Sequence, residues 1–264
     1  VEWIMWMVLG VSTGITQGFA ILMAQDYGAQ KWRKLKQTVA HSYRLTAMTA
    51  VLLFIISQAG AYWMLNLLNT PDNIIGMSLL YLRIVFCGIP VVAAYNIFAS
   101  VLRSLGNSRT PLIAMVIAAI INIILDLIFV GQFHMNVAGA ALATVIAQAF
   151  SAIYCFFAVR KIDIVHITRE DFQTVPGLNR KLLTLGTPIL FQDVIISVGG
   201  LVVQFVVNGY GFLFVAGFTA TNKLYGILEM AAISYGYAIV TYVGQNLGAG
   251  KITRIKRGVR ASAV

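Results

Sequence analysis

Asn122 and Asp126 stand four positions apart in one apolar run, so on a helix they stack on a single face. Together they offer an amide oxygen and a carboxylate side by side, a pairing suited to a small hard cation or to a carboxyl that takes up and releases a proton. Thr144, in the next apolar run, stands at comparable depth, and its hydroxyl completes the cluster. An ionisable group at the centre of a bilayer costs about 2.5 to 3.5 kcal/mol, so each one calls for a partner or a wet cavity. The plain alternative is a hydrogen-bonded knot that glues helices together. Arg83 has two readings: it pairs with Asp126, which would weaken that acid as a proton carrier, or it snorkels to the headgroups. Asp193 lies about three turns inside its helix, beyond the kink-forming Pro188. It either faces a cleft, where it would attract a cation, or hydrogen-bonds Gln192 or a neighbouring helix. Glu229 is expected to pair with Lys223.

The elements that must position these groups follow from composition. The 264 residues are 59% hydrophobic and 11% charged, with a mean hydropathy of +0.83. A soluble domain carries roughly 25% charged residues, so this chain cannot coat a water-soluble globule. The expected class is an all-α polytopic membrane bundle. Seven segments are long enough to cross: Trp3 to Ala24, Leu45 to Leu67, Gly76 to Val101, Leu112 to Gln132, Val137 to Val159, Leu182 to Val207 and Tyr225 to Leu247. If all cross, 17 of the 19 basic residues fall on one side, and the interval 69–73 on the other side has none. The positive-inside rule makes the basic side cytoplasmic, with Val1 outside and Val264 inside. The first segment is no signal peptide, because Glu2 replaces the basic flank and the apolar run is too long.

Other chemistries are excluded or unsupported. The basic residues follow membrane sidedness and do not gather among stacking aromatics, which argues against nucleic acid. Cys87 and Cys155 read as buried thiols, and His41, His134 and His166 lack metal-ligand spacing. No phosphate loop, GxSxG or HExxH occurs, so neither an enzyme nor a bound cofactor is expected. Trp3, Trp6, Tyr62 and Trp63 sit near segment ends as interfacial anchors.

The chain also repeats itself. AQDYGAQKWRKLKQTV from Ala24 aligns without a gap to GQNLGAGKITRIKRGV from Gly244, an offset of 220 residues. Six crossings separate the copies, an even number, so the halves run parallel about an axis along the membrane normal. Completing both halves implies about 430 to 450 residues and twelve crossings in two six-helix lobes, with this chain as the middle. Residues 1–160 are then an amino-terminal lobe lacking its first helix, 161–181 a solvated cytoplasmic linker, and 182–264 the first two helices of the second lobe.

GITQGFAILMAQDYGA from Gly14, LRSLGNSRTPLIAMVIAAIINIILDLIFV from Leu102, GAALATVIAQ from Gly139 and VGQNLGAGK from Val243 resemble the multidrug and toxic compound extrusion (MATE) family, in its DinF-like branch. The resemblance covers nearly the whole chain as crossings two to eight of twelve. It implies a multi-pass protein of the cell (plasma or inner) membrane that exports cationic or amphipathic compounds as an antiporter. Proton or sodium entry would drive two lobes between outward- and inward-open states, and no oligomer would be required. It further implies that Asn122, Asp126 and Thr144 form the ion-coupling site, where sodium is one occupant, with Tyr81 as a supporting tyrosine. The family's first crossing, with its acid, is not part of this sequence. A lipid-linked saccharide flippase of the same superfamily is the alternative, and a seven-helix receptor the more distant one.

Overall fold

The computed structural model describes residues 2–67 and 72–262, so residues 69–71 of the interval without Lys or Arg lie outside the described residues. Nine α-helices occur among the described residues, and no strand. They are α1 (Glu2–Gly28), α2 (Trp32–Leu67), α3 (Asp72–Cys87), α4 (Ile89–Ser104), α5 (Arg109–Asp126), α6 (Asn136–Arg160), α7 (Leu178–Asn208), α8 (Phe212–Gly248) and α9 (Ile252–Ser262). The all-α membrane architecture expected from composition is what the chain adopts. Five single helices besides α8 are long and apolar enough to span a bilayer, and α3 and α4 together pass the same test as a pair bent at a short break.

The helices depart from the hydropathy segments where local chemistry overrides hydropathy. The third segment breaks at Gly88, bending by 43°, because Pro90 starts α4 and has no N–H to continue the ladder from α3. The second helix begins at Trp32, since the basic turn before Leu45 is amphipathic and stays helical. The last crossing begins at Phe212, thirteen residues before the hydropathy limit, because Thr219, Thr221, Asn222 and Lys223 lower hydropathy without ending a helix. Within the connector, two 3₁₀ turns at Asp163–Val165 and Arg169–Phe172 bury Val165 and Asp171, and a capping box between Thr168 and Asp171 closes the second.

The helix α1 is the spine of the bundle and packs against α2, α4, α7 and α8. Gly10, Gly14 and Gly18 recur every four residues and form a groove that seats α7 running antiparallel. A methyl on Gly18 would strike the backbone of Gly186, and one on Gly14 would come within 2.8 Å of the Leu190 backbone. Phe19, Met23, Leu35, Val39, Leu102 and Leu182 form a shared core, which draws the start of α7 into the same cluster as α1, α2 and α4. Large apolar side chains on α7 and α8, such as Ile195, Leu213 and Leu228, remain exposed and belong against lipid or another apolar body.

Candidate functional site

Asn122 and Asp126 lie on α5, and Asp126 is its last residue before a π-helical turn over Leu127–Gln132. Such turns interrupt regular helices with a wider i to i+5 pattern, often beside functional groups. Gly139 of α6 permits the close approach, since a methyl there would come within 2.9 Å of Phe129. The Asn122 Nδ2 and Asp126 Oδ1 atoms are both buried and have no hydrogen-bond partner. Amide nitrogen and oxygen are interchangeable by a half-turn of the side chain, so the Asn122 position can present either a donor or a ligating oxygen. A buried carboxyl oxygen without a partner is an open acceptor position for a hydrogen-bond donor or a cation.

The other expected members take varied places. The Thr144 hydroxyl donates to the Ala140 carbonyl of its own helix at 2.9 Å, leaving its oxygen lone pairs as acceptors. Tyr81 is within electrostatic range of Asp126 and Glu2 and lines an open pocket of ≈ 390 Å³ with Met5, Met77, Ser78 and Val137. Arg83 is exposed, and among the described residues the sole ion pair is Lys223 with Glu2 at 2.9 Å, so Arg83 does not pair with Asp126. That pair also displaces the expected one between Lys223 and Glu229. Six residues apart on α8, those two side chains point to different faces, and Glu229 is exposed. Asp193 lies over the glycine groove, its Oδ2 3.0 Å from where a Gly14 methyl would sit, within electrostatic range of Tyr237. Cys155 is buried as expected, but Cys87 is exposed at the helix break and accepts a hydrogen bond from Gln58.

Several residues that organise the molecule escaped the sequence reading. Gln17 Nε2 donates to the Tyr237 hydroxyl at 2.6 Å, and these two positions are 220 residues apart, the repeat offset itself. A methyl on Gly28 would overlap the Gln245 carbonyl, and one on Gly248 would overlap the Gln25 carbonyl. Equivalent residues thus meet each other reciprocally, the mark of a two-fold axis between parallel α1 and α8. Both helices end in the same turn, with Gln30 at φ 56° and Gly250 at φ 68°, before α2 and α9 begin at equivalent positions. Two of the resembling motifs also meet: Gln245 donates to the Ser104 carbonyl at 2.8 Å, beside the left-handed Gly106 that ends α4. Extending the 220-residue alignment backwards would have found Gln17 and Tyr237. His41 carried no such signal. Its ring nitrogens lie 2.7 Å from Asn179 Oδ1 and 3.0 Å from the Gln173 carbonyl, pinning the connector and the first turn of α7 to α2.

Comparison with known proteins places this geometry in a family. The MatE family profile matches residues 2–128 and 188–264. The chain is 29% identical over 262 residues to the probable multidrug resistance protein YoeA of Bacillus subtilis (strain 168), covering 96% of this chain and 57% of that protein. It is 36% identical over 194 residues to the probable multidrug resistance protein YpnP of the same organism, covering 73% and 43%. Over 230 residues it is 28% identical to DNA damage-inducible protein F of Escherichia coli (strain K12), covering 86% and 50%. The chain spans about half the length of the curated relatives it matches. Among solved structures, it superposes on an outward-facing multidrug resistance MATE family transporter with a TM-score of 0.86 at 18% identity, covering 98% of this chain and 58% of that one. An inward-facing multidrug resistance MATE family transporter gives 0.80 at 20% identity, covering 96% and 58%. These two likenesses establish the shared helical architecture, and the profile match over both ends of the chain establishes the family. The chain belongs to the MatE family, a multi-pass membrane protein.

Proposed function

We propose that the full-length protein is a secondary active exporter of multidrug or toxic compounds, an antiporter driven by proton or sodium entry and not an enzyme. The observation that carries this reading is the buried Asp126 carboxyl oxygen without a partner, one helical turn from the Asn122 amide nitrogen, which is also buried and unpartnered, on a helix that is otherwise apolar from Pro111 onward. Occupation of Asp126 by a proton or sodium ion would remove the cost of its buried charge, and so favour one packing of the surrounding helices over another. Thr144 supplies a further oxygen and Tyr81 lines the approach. Asp193, on α7, is the acid that would attract a cationic or amphipathic substrate to the cleft. The relatives named as multidrug resistance proteins support the substrate class, and none of the comparisons favours a saccharide flippase. The seven-helix receptor reading falls to the family match.

In this proposal residues 1–160 form one lobe, 161–181 the linker and 182–264 the start of the second. The basic ends of the helices face the cytoplasm, and the exposed apolar faces of α7 and α8 receive the rest of the second lobe. The reading is tested with full-length protein reconstituted in vesicles and loaded with a fluorescent lipophilic cation. Imposing an inward proton or sodium gradient should accelerate export several-fold over vesicles without gradients. Equal rates with and without either gradient would reject antiport.

A further inference from the structure

The coupling reading leaves unused a polar patch where α1, α4 and α8 meet. Arg103, in the last turn of α4, holds its guanidinium carbon 4.6 Å above the Tyr237 ring. Among the described residues the sole ion pair joins Lys223 to Glu2, so no carboxylate neutralises Arg103. The Tyr237 hydroxyl accepts its hydrogen bond from Gln17, which leaves its own hydrogen free to donate. Tyr95, about two turns back along α4, is 8% exposed, and its hydroxyl is buried without a partner. Tyr95, Tyr237 and the Cys155 thiol are all within electrostatic range of Arg103, and Asp193 is the acid within range of Tyr237. Beside Arg103, the Tyr95 and Tyr237 hydroxyls therefore each have a hydrogen to give. The Arg103 guanidinium is stacked on Tyr237 and has no carboxylate within ion-pair distance among the described residues, and its planar fork matches the two oxygens of a carboxylate or phosphate.

We propose that Arg103, with the Tyr95 and Tyr237 hydroxyls, binds the anionic oxygen group, carboxylate or phosphate, of an amphipathic molecule at the junction of the two lobes. This rests on the export reading, in which the junction lies on the transport path, and it adds an anionic group to the substrate chemistry. An anionic lipid headgroup and an anionic solute share that chemistry.

The test uses full-length protein in phosphatidylcholine nanodiscs and two probes that differ in charge and by one ethyl group, a rhodamine with a free carboxylate and its ethyl ester, followed by fluorescence anisotropy. Arg103→Gln should weaken binding of the acid about tenfold, the scale of one charge-assisted hydrogen-bonded contact, and change the ester less than twofold. Tyr237→Phe, which keeps the ring under Arg103 and removes the hydroxyl, should weaken the acid by about threefold. If Arg103→Gln does not fold, Arg103→Lys, which keeps the charge and loses the fork, should still lower the acid's affinity relative to the ester. Adding phosphatidylglycerol separates the sources. A headgroup occupant raises the apparent Kd of the acid in the wild type and not in Arg103→Gln, whereas a solute occupant leaves it unchanged. Equal weakening of acid and ester in the Arg103 variants would overturn the anion site while leaving export intact. Wild-type protein that binds the ester but not the acid would likewise overturn the anion site, while export stands or falls on the gradient-driven flux.

Discussion

Gln30 holds its backbone at φ 56°, a conformation that costs a residue with a side chain roughly 1 kcal/mol. The repeat places Gly250, at φ 68°, in the same position of the second copy, where no such cost arises. Gln30→Gly should therefore stabilise the protein by about 0.5 to 1 kcal/mol, despite the added freedom of the unfolded chain, and raise its unfolding midpoint in detergent. An unchanged or lowered midpoint would show that the Gln30 side chain makes a compensating contact. Residue-level chemistry of this kind was legible in the sequence where it was local. Asn122 and Asp126 share a helix face because of their spacing alone. The role of Arg103 was not legible: counted as one of the cytoplasmic basic residues, it turns back over Tyr237, 134 positions away in the chain.

At the scale of elements, the two-fold contact between α1 and α8 depends on glycines that leave room for a facing carbonyl. Gly28→Ala and Gly248→Ala would each drive a methyl into the partner helix backbone. Each should destabilise the bundle by about 1 to 3 kcal/mol, the usual scale of overpacking, and to a similar extent because the contacts are reciprocal. Thermal unfolding of the single variants checks both the size and the equality. The helix ends themselves were legible, because Gly and the basic turn recur at a fixed offset. The docking of α7 into the groove of Gly10, Gly14 and Gly18 was not, since the sequence shows the spacing without saying which helix fills it. The connector presents a similar limit. Its Pro, Gly and acidic residues read as solvated chain, yet His41 pins it to α2. His41→Ala leaves the Gln173 carbonyl and the Asn179 amide without that partner, a loss of about 2 to 4 kcal/mol. Limited proteolysis should then cut between residues 163 and 177 faster than in the wild type, and equal cutting rates would mean the connector is held elsewhere.

For the whole molecule, the proposed orientation puts the basic ends of the helices and the connector in the cytoplasm. A cysteine introduced at the exposed Gly177, in a background without Cys87 and Cys155, should react with a membrane-impermeant maleimide in inside-out vesicles and not in intact cells. Labelling from outside would invert the topology. The parallel repeat was legible from an even count of crossings between its copies, and the side-by-side course of α1 and α8 embodies it. What hydropathy could not supply was the relation between the polar groups, because Tyr81 comes within range of Asp126, and Asp193 within range of Tyr237, only through helix packing. The central claim is that Asp126 couples an ion to export. Its most direct measurement is gradient-driven flux of a fluorescent cation in vesicles holding full-length wild type or Asp126→Asn at matched amounts. The account predicts that Asp126→Asn loses the gradient-dependent component, tenfold or more on the scale of a removed ionisable group, while downhill exchange of the cation persists. Gradient-driven flux equal to that of the wild type would contradict it.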